Sequence, residues 1–294
     1  MKSVLLSLTV LFSLPLFGAV RATYIKGDTW VSQYLEKGGD IRHVTGLVLP
    51  SDWKTHARFD NSIPKRDLPP VFDWRWKAEG LQPVKNQGQC GSCWAFSVTA
   101  TMEALIKIQT HHVVDLAEQT LVSTCESGGD CGGGYFDAFN YMKSPGMPDE
   151  KQDPYKAQNS SCKSNLKAIE KLTSWSYVGD GNDEPTIEQL KTAIMQHGPL
   201  SVGIYANSSF SAYKGGVFNN CSSGSENHMV NIEGWNDDGQ YWIMRNSWGA
   251  DWGENGYMNI RYTGSSGAKC NNIAALAAYA VYKDGVLDTF STSK

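Results

Sequence analysis

The sequence predicts an α+β chain of two lobes, one mainly helical and one mainly β, facing each other across a cleft. Three observations predict it. Over residues 94–109 the apolar side chains fall at 94, 95, 98, 102, 105 and 106, the spacing of a helix with one buried face. Beyond about Trp175 short apolar runs alternate with Gly, Asn, Asp and Ser, as strands joined by turns do. No repeat or low-complexity linker parts the two halves, so they are expected to pack together, and ligand sites favour such interfaces.

A chain of 294 residues with a formal charge of −4 suits one or two domains with a real core. Without a Lys/Arg run or basic stripe, nucleic acid is not expected as a partner. At the start, Lys2 precedes an apolar run over residues 4–17, and Val20-Arg21-Ala22 offers small residues for a signal peptidase. Residues 1–22 therefore read as a secretory signal peptide. No later stretch approaches the roughly 18 apolar residues of a spanning helix, so the mature protein is expected to be soluble, exported and without a membrane partner.

Residues 23–67 are polar and mixed in pattern, and they end in "SIPKRDLPP". Pro64, Lys65-Arg66 and Pro69-Pro70 make an extended junction of the kind proteases nick. This predicts a propeptide over 23–67, a mature domain over 68–282 and a tail over 283–294. The helical lobe would run from about 80 to 175 and the β lobe from 176 to 280.

Within that domain Asp115 and Glu118 read as a cap with its reciprocal partner, starting a short helix that ends near Thr124. "CGGGY" demands backbone freedom before a third helix over 135–143. A fourth, over 186–196, has Ile187, Leu190 and Ile194 on one face and stops at Gly198-Pro199. Strands are expected over 200–206, 228–234, 241–245, 256–262 and 274–281.

The chemistry centres on "NQGQCGSCWAFS", residues 86–97. Cys90 and Cys93 could be a redox couple, half of a zinc site, or two sulfurs with separate tasks. The cysteines number seven, all after residue 89; in an exported protein they form a disulfide framework, with at least one sulfur over. Cys93 falls at the predicted start of a helix, whose positive end favours a thiolate and lowers the thiol pKa. Such a nucleophile needs a base. His43 and His56 fall in the predicted propeptide, and His111-His112 lie in a polar loop. His197 precedes Gly-Pro at a helix end, where it can meet the last carbonyls. His228 opens the apolar run "HMVNIEGW", at a strand edge that can face a cleft. In "YWIMRNSWG", Asn246 can hold an imidazole by one hydrogen bond, and Trp248 can keep water from it. The Gln87 amide and the Cys93 backbone N–H together could cradle an oxyanion.

These stretches, with "NHMVNIEGW" and "IMRNSWG", resemble the papain/cathepsin family of cysteine proteases. That family carries C-G-[SA]-C-[WY] with His and Asn about 130–150 residues on. Here His228 lies 228 − 93 = 135 residues after Cys93 and Asn246 lies 246 − 93 = 153 after it. The resemblance runs from about Leu68 to Val281. It implies a papain-like two-lobe fold, with Cys93 as nucleophile, His228 as general acid/base, Asn246 as orienter and Gln87 as oxyanion donor. It also implies Trp248 as a shield, Gly133 and Gly134 as partners of an extended substrate backbone, and Asn227 as a residue whose carbonyl accepts from that backbone. The implied reaction is peptide hydrolysis through a thioester. The implied disulfides are Cys90–Cys131, Cys125–Cys162 and Cys221–Cys270, which leave Cys93 free. A second Cys-x-x-Cys is missing, which sets the zinc and redox alternatives aside. No metal or cofactor is expected.

Partners implied are peptide and protein substrates, the chain's own propeptide as inhibitor and cystatin-like inhibitors. The chain is expected to be a monomer in the secretory pathway, extracellular or in a lysosome- or vacuole-like compartment. The roughly 45-residue propeptide is too short for a long helical inhibitory segment, and a helix docking on the cleft through Trp30, Tyr34 and Leu35 is expected instead. The His111-His112 pair precedes Cys125, unlike the occluding-loop pair of cathepsin B, so the cleft reads as open and the enzyme as an endopeptidase. Tyr135, Phe136, Met229 and residues 274–276 suggest an apolar pocket for the second residue before the cut, with Glu226 close enough to complicate it. A non-catalytic binding protein and an exopeptidase of the same fold are the alternatives. Asn159 and Asn207, each in Asn-Ser-Ser, are candidate glycosylation acceptors.

Overall fold

A computed structural model describes residues 24–64, 67–123, 125, 128–283 and 287. The expected signal peptide, Thr23, Lys65-Arg66, Thr124 and most of the expected tail lie outside them. The principal helices are α1 (Trp30–Glu36), α2 (Cys93–Thr110), α3 (Glu118–Val122), α4 (Ala138–Lys143) and α5 (Ile187–His197). The large sheet is built from β1 (Phe59–Asp60), β2 (Val71–Asp73), β3 (Ser174–Val178), β4 (Leu200–Ile204), β5 (Val217–Phe218), β6 (His228–Asn236), β7 (Tyr241–Arg245), β8 (Tyr257–Arg261) and β9 (Ala277–Val281). Its order is β1-β3-β9-β4-β6-β7-β8-β5, with β2 pairing the far end of β6.

β6 is the hinge of the design. Its first residues pair with β4 and its last with β2, while β7 covers the other edge. Residues 228–235 are buried without interruption, His228, Asn231 and Glu233 among them. Helix α2, buried over most of its length, lies against it. Polar contacts lock the two in register: Ser97 Oγ donates to Val230 O (2.9 Å), and Asn231 Nδ2 donates to Ser97 O (3.0 Å) and Thr101 Oγ1 (2.9 Å). These bonds cross from the helical lobe to the β lobe, so they set the first turn of α2 against the start of β6. Each is worth about 1 kcal/mol net, but a lost partner would leave a buried polar atom unpaired at higher cost.

Several local expectations fail for physical reasons. Asp115 does not cap a helix; α3 starts at Glu118 with no side-chain cap, and Asp115 instead pairs with Lys85 at 2.7 Å. Both acids are drawn to one half-buried cation, Lys85. Helix α4 begins at Ala138, because Tyr135 is held in an extended approach beside Gly134 and bonds Asp137. His197 does not turn to the carbonyls ending α5; it stacks on Tyr279 with centroids 3.9 Å apart. β2 and β3 are strands that the turn-bounded reading passed over, although Ser174–Val178 alternates as a strand should. Among the described residues no helix is long and apolar enough to cross a membrane.

Trp30, Tyr34 and Leu35 of α1 are half-buried against the core, and Trp30 donates its indole N–H to Trp248 O (2.8 Å). Tyr34 bonds inside the segment, to His43 and to the Asp40 amide. The cleft is crossed by an extended stretch, residues 44–48.

Candidate active site

Cys93 is the first residue of α2, fully buried, and its sulfur receives the Met229 amide at 3.2 Å. Met229 follows His228 at the start of β6, so one hydrogen bond joins the helix start to the strand start. His228 Nε2 meets Asn246 Oδ1 at 2.8 Å. Since an amide oxygen only accepts, Nε2 carries the proton and Nδ1 is the basic atom of the neutral ring. Nδ1 has no hydrogen-bond partner although it is buried. Trp248 stacks on the imidazole (centroids 4.8 Å apart, 26° between planes), and Phe210 stands edge-on to both rings. The Asn246–His228 bond is thereby kept from water.

Gln87 is oriented by Ser247, which was not among the expected site residues. Ser247 Oγ donates to Gln87 Oε1 (2.7 Å), and the Gln87 backbone N–H donates to Ser247 O (2.8 Å). The oxygen end being fixed, Nε2 faces the cleft. Tyr155 is a second unforeseen support: its hydroxyl donates to Gln87 O (2.8 Å) and accepts a hydrogen bond from Ser92 Oγ (2.6 Å). Ser247 had a signal in standing between two site residues. Tyr155 had none, being 68 residues from Gln87.

Residues 44–48 fill what these groups would offer a ligand. Thr45 O accepts from Gln87 Nε2 (3.1 Å) and faces the Cys93 amide (3.4 Å). Asn227 O accepts from both the Gly46 and Leu47 amides, each at 3.0 Å. On the opposite wall Gly134 N donates to Gly46 O (2.9 Å), and Gly134 O accepts from Val48 N (3.0 Å). Leu47 pairs in parallel with Gly134. Trp248 Nε1 donates to Val44 O at 2.7 Å. Gly134 must lack a side chain, since a Cβ there would lie 2.5 Å from the Trp94 indole. Gly46 is equally constrained: its φ is +129° and a Cβ would stand 2.0 Å from Gly91 O. Gly133 touches Val48, Tyr135 is half-buried, and Met229 and Phe136 are buried. Phe136 packs edge-on to Tyr177, a core contact.

With the cleft so covered, the expected low thiol pKa does not hold. Burial pushes the Cys93 thiol up to about 12; the Met229 and Trp94 amides pull the other way and lose. Burial likewise holds the His228 imidazole down to about 4, against the bond to Asn246. The pair is neutral in this form.

Cys90 is bonded to Cys131, Cys125 to Cys162 and Cys221 to Cys270, while Cys93 is free. The first bridge ties the loop before α2 to the glycine-rich wall. His111 and His112 are exposed past the end of α2, far along the helix from Cys93. Asn159 is exposed but its amide is engaged, with Cys131 N donating to Oδ1 (2.7 Å) and Nδ2 donating to Asp130 (3.1 Å). Asn207 caps a short helix through Oδ1, accepting from Phe210 N at 3.0 Å. Among the described residues no group of His, Cys, Asp and Glu is placed to hold a metal ion.

Residues 68–283 match the family model described as papain family cysteine protease. The chain belongs to that family. Papain-family relatives include cathepsin S of Bos taurus, 39% identical over 240 residues that cover 78% of this chain and 70% of the bovine protein. Cysteine protease 1 of Oryza sativa subsp. japonica is 40% identical over 229 residues, 74% of this chain. The chain spans about half of that relative, 45%. Procathepsin L2 from the Tenebrio molitor larval midgut superposes with a TM-score of 0.77 at 29% identity, covering 88% of this chain and 84% of that one. A bromelain protease from Ananas comosus in complex with E64 covers 74% of this chain and all of its own, with a TM-score of 0.66 and 34% identity. The α+β two-lobe papain-like fold is thus established.

Proposed function

We propose that this chain is the zymogen of a secreted or lysosome-type cysteine endopeptidase. In it, residues 1–22 are a signal peptide, 23–67 a propeptide and 68–282 the mature peptidase. The observation that carries the reading is the Thr45 carbonyl, which sits between Gln87 Nε2 and the Cys93 amide, where a developing oxyanion would need its donors. Residues 46–48 make backbone bonds to Gly134 and Asn227 that an extended peptide substrate would make in their place.

Removal of the segment opens the cleft to water and substrate. Cys93 and His228 then lose the desolvation that keeps them neutral, and the proton moves from Sγ to Nδ1, the free ring atom. The thiolate attacks the peptide carbonyl, whose oxygen is received by Gln87 and the Cys93 amide. The imidazolium gives its proton to the leaving amine, and water, activated by the same ring, hydrolyses the thioester. Asn246 and Trp248 hold the ring through both steps. The seat of Leu47 supports an apolar preference at the second residue before the cut. The uncovered cleft is also where cystatin-like inhibitors would compete with substrate.

The test has two arms. Matured protein incubated with a diverse peptide pool should yield internal cuts by mass spectrometry; cuts confined to terminal dipeptides would replace endopeptidase with exopeptidase. E-64, the inhibitor bound in the bromelain complex, should label matured protein and neither Cys93→Ala nor the intact chain. Gly46→Ala, which drives a methyl into Gly91 O, should make the intact chain label. Equal labelling before and after maturation would defeat the zymogen reading.

A further inference from the structure

Tyr177 has no part in the scheme above, yet four aromatic rings converge on it. Two belong to the domain that matches the family: Trp175 (centroids 5.2 Å apart) and Phe136 (5.3 Å) stand edge-on to its ring. The other two belong to the N-terminal segment: Trp53 (5.2 Å) tilts over the ring and Phe59 (5.3 Å) stacks on it. The pairing of β1 with β3 sets Phe59 opposite Tyr177. Phe59 also lies on Gly181, where a Cβ would stand 2.7 Å from its ring. Under these two rings Tyr177 is 1% exposed.

This bed continues the cleft wall. Gly134, which bonds Gly46 and Val48, is followed by Tyr135 and then by Phe136, the ring that packs on Tyr177. Residues 44–48 run from Trp248 past the Cys93 amide to Gly134. Trp53 follows Val48 by 53 − 48 = 5 residues, a reach of at most about 18 Å. A substrate whose second residue takes the seat of Leu47 would send its more N-terminal residues out on this same side. The Tyr177 hydroxyl, buried and with no hydrogen-bond partner among the described residues, is a polar atom left over in the bed.

We propose that Tyr177, with Trp175 and Gly181 beside it, is an exosite of the matured enzyme that holds an aromatic side chain of a protein substrate, four to eight residues before the cut. The proposal rests on the zymogen and endopeptidase reading above. In the intact chain Trp53 and Phe59 take that place, so the segment blocks the exosite as well as the cleft. Their departure uncovers a ring face joined to the cleft, the kind of apolar patch that marks a binding surface. An aromatic occupant is favoured over an aliphatic one because it restores the stacked and tilted ring contacts that Tyr177 loses. The Tyr177 hydroxyl then has a backbone carbonyl of the passing chain to donate to.

The test uses protein matured from the full chain, with active enzyme counted by E-64 titration. Internally quenched peptides share one cut site with Leu as the second residue. Each carries Trp, or Ser in its place, at one position from the fourth to the eighth before the cut. At one of these positions Trp should raise kcat/KM about tenfold over Ser, through KM with kcat held. In Tyr177→Leu that advantage should vanish, while a three-residue coumarylamide, too short to reach the bed, is cut as by the wild type. A synthetic peptide of residues 51–60 should raise KM for the Trp peptide and leave the short substrate untouched, which decides the question even if Tyr177→Leu does not fold. Equal cutting of Trp and Ser peptides at every position, an advantage that survives Tyr177→Leu, or inhibition of the short substrate by the 51–60 peptide overturns the exosite and leaves the endopeptidase standing. Equal cutting together with pairs of matured molecules in sedimentation, dissolved by Tyr177→Leu, gives the bed to a second copy and overturns it likewise. A short substrate left uncut by the wild type overturns the endopeptidase reading itself.

Discussion

Behind the cleft wall Lys85 lies among Glu103 (2.8 Å), Asp115 (2.7 Å) and Glu118 (2.9 Å), with Arg245 3.6 Å from Glu233 nearby. In the cleft, one residue from Arg245, Asn246 holds His228, and the Cys93–His228 pair is buried with no counter-ion among the described residues. Both clusters bury titratable groups, but the first keeps the Lys85 ammonium charged and the second is neutral. Burial works against the Lys85 ammonium, yet Glu118 and Glu103 hold its pKa above the usual lysine range. Burial pushes Glu118 up to about 8, and Lys85 opposes it. The Lys85 cluster is anchored to three separate parts of the helical lobe, so its charges are spent on architecture. The Cys93 cluster leaves His228 Nδ1 free for a proton that has yet to arrive. A buried group's job is told by where its unpaired atom points and what can be removed to reach it.

Substitutions can break that contrast. Cys93→Ala should lower peptide hydrolysis by about 10⁴-fold or more, because the nucleophile acts as a unit with its base. Its urea midpoint should be unchanged or higher, since no ion pair is lost; a clear fall would blur the two clusters. Lys85→Met should do the reverse. It leaves Glu103 and Glu118 buried without their cation, a loss of about 3–5 kcal/mol in denaturant unfolding, while protein that folds keeps its E-64 labelling.

His197 sharpens the comparison, since it too is buried with an unpartnered Nδ1 and yet lies outside the cleft, against Tyr279. Burial holds its pKa down to about 4, with Asp60 opposing weakly. The unfolded chain binds that proton first. Stability from a neutral His197 is therefore complete above the ordinary value near pH 6.5 and is lost as pH falls toward 4. That loss amounts to at most about 3 kcal/mol. His197→Phe keeps the stacking and should flatten this part of the stability–pH curve; an unchanged acid limb would show that other groups cause it. The smallest effect is expected from Ser247→Ala, which frees Gln87 Oε1: kcat should fall about tenfold with KM held, the cost of a loosened oxyanion donor.

Much of the site was legible because its motifs are local. Gln87, Cys93, His228, Asn246 and Trp248 stand in three short stretches, and the helix and strands that carry them follow from apolar spacing. What was not legible depends on distant chain. Tyr155 supports Gln87 through a contact, 68 residues apart, that no spacing announces. The thiol pKa was read from the helix start alone and came out in the wrong direction, because residues 44–48 desolvate it from 45 or more positions upstream. The same stretch, "VTGLV", looks unremarkable until Gly46 is seen against Gly91 O. Asp115 misled for the complementary reason: a cap and an ion pair ask for the same residue type.

The outermost strand of the sheet, β1, belongs to the N-terminal segment and pairs in parallel with β3. If residues 23–67 leave on maturation, the backbone amides and carbonyls of Phe59 and Asp60 leave with them, and Tyr279 loses the Asp60 carboxylate its hydroxyl donates to at 2.7 Å. Ser174–Val178, with Trp175 and Tyr177 along it, then becomes a bare margin able to accept a further strand. Activation would therefore change how copies of the molecule meet as well as what they cut. Protein concentration becomes a variable for the matured form that the intact chain, with its margin already taken, does not have.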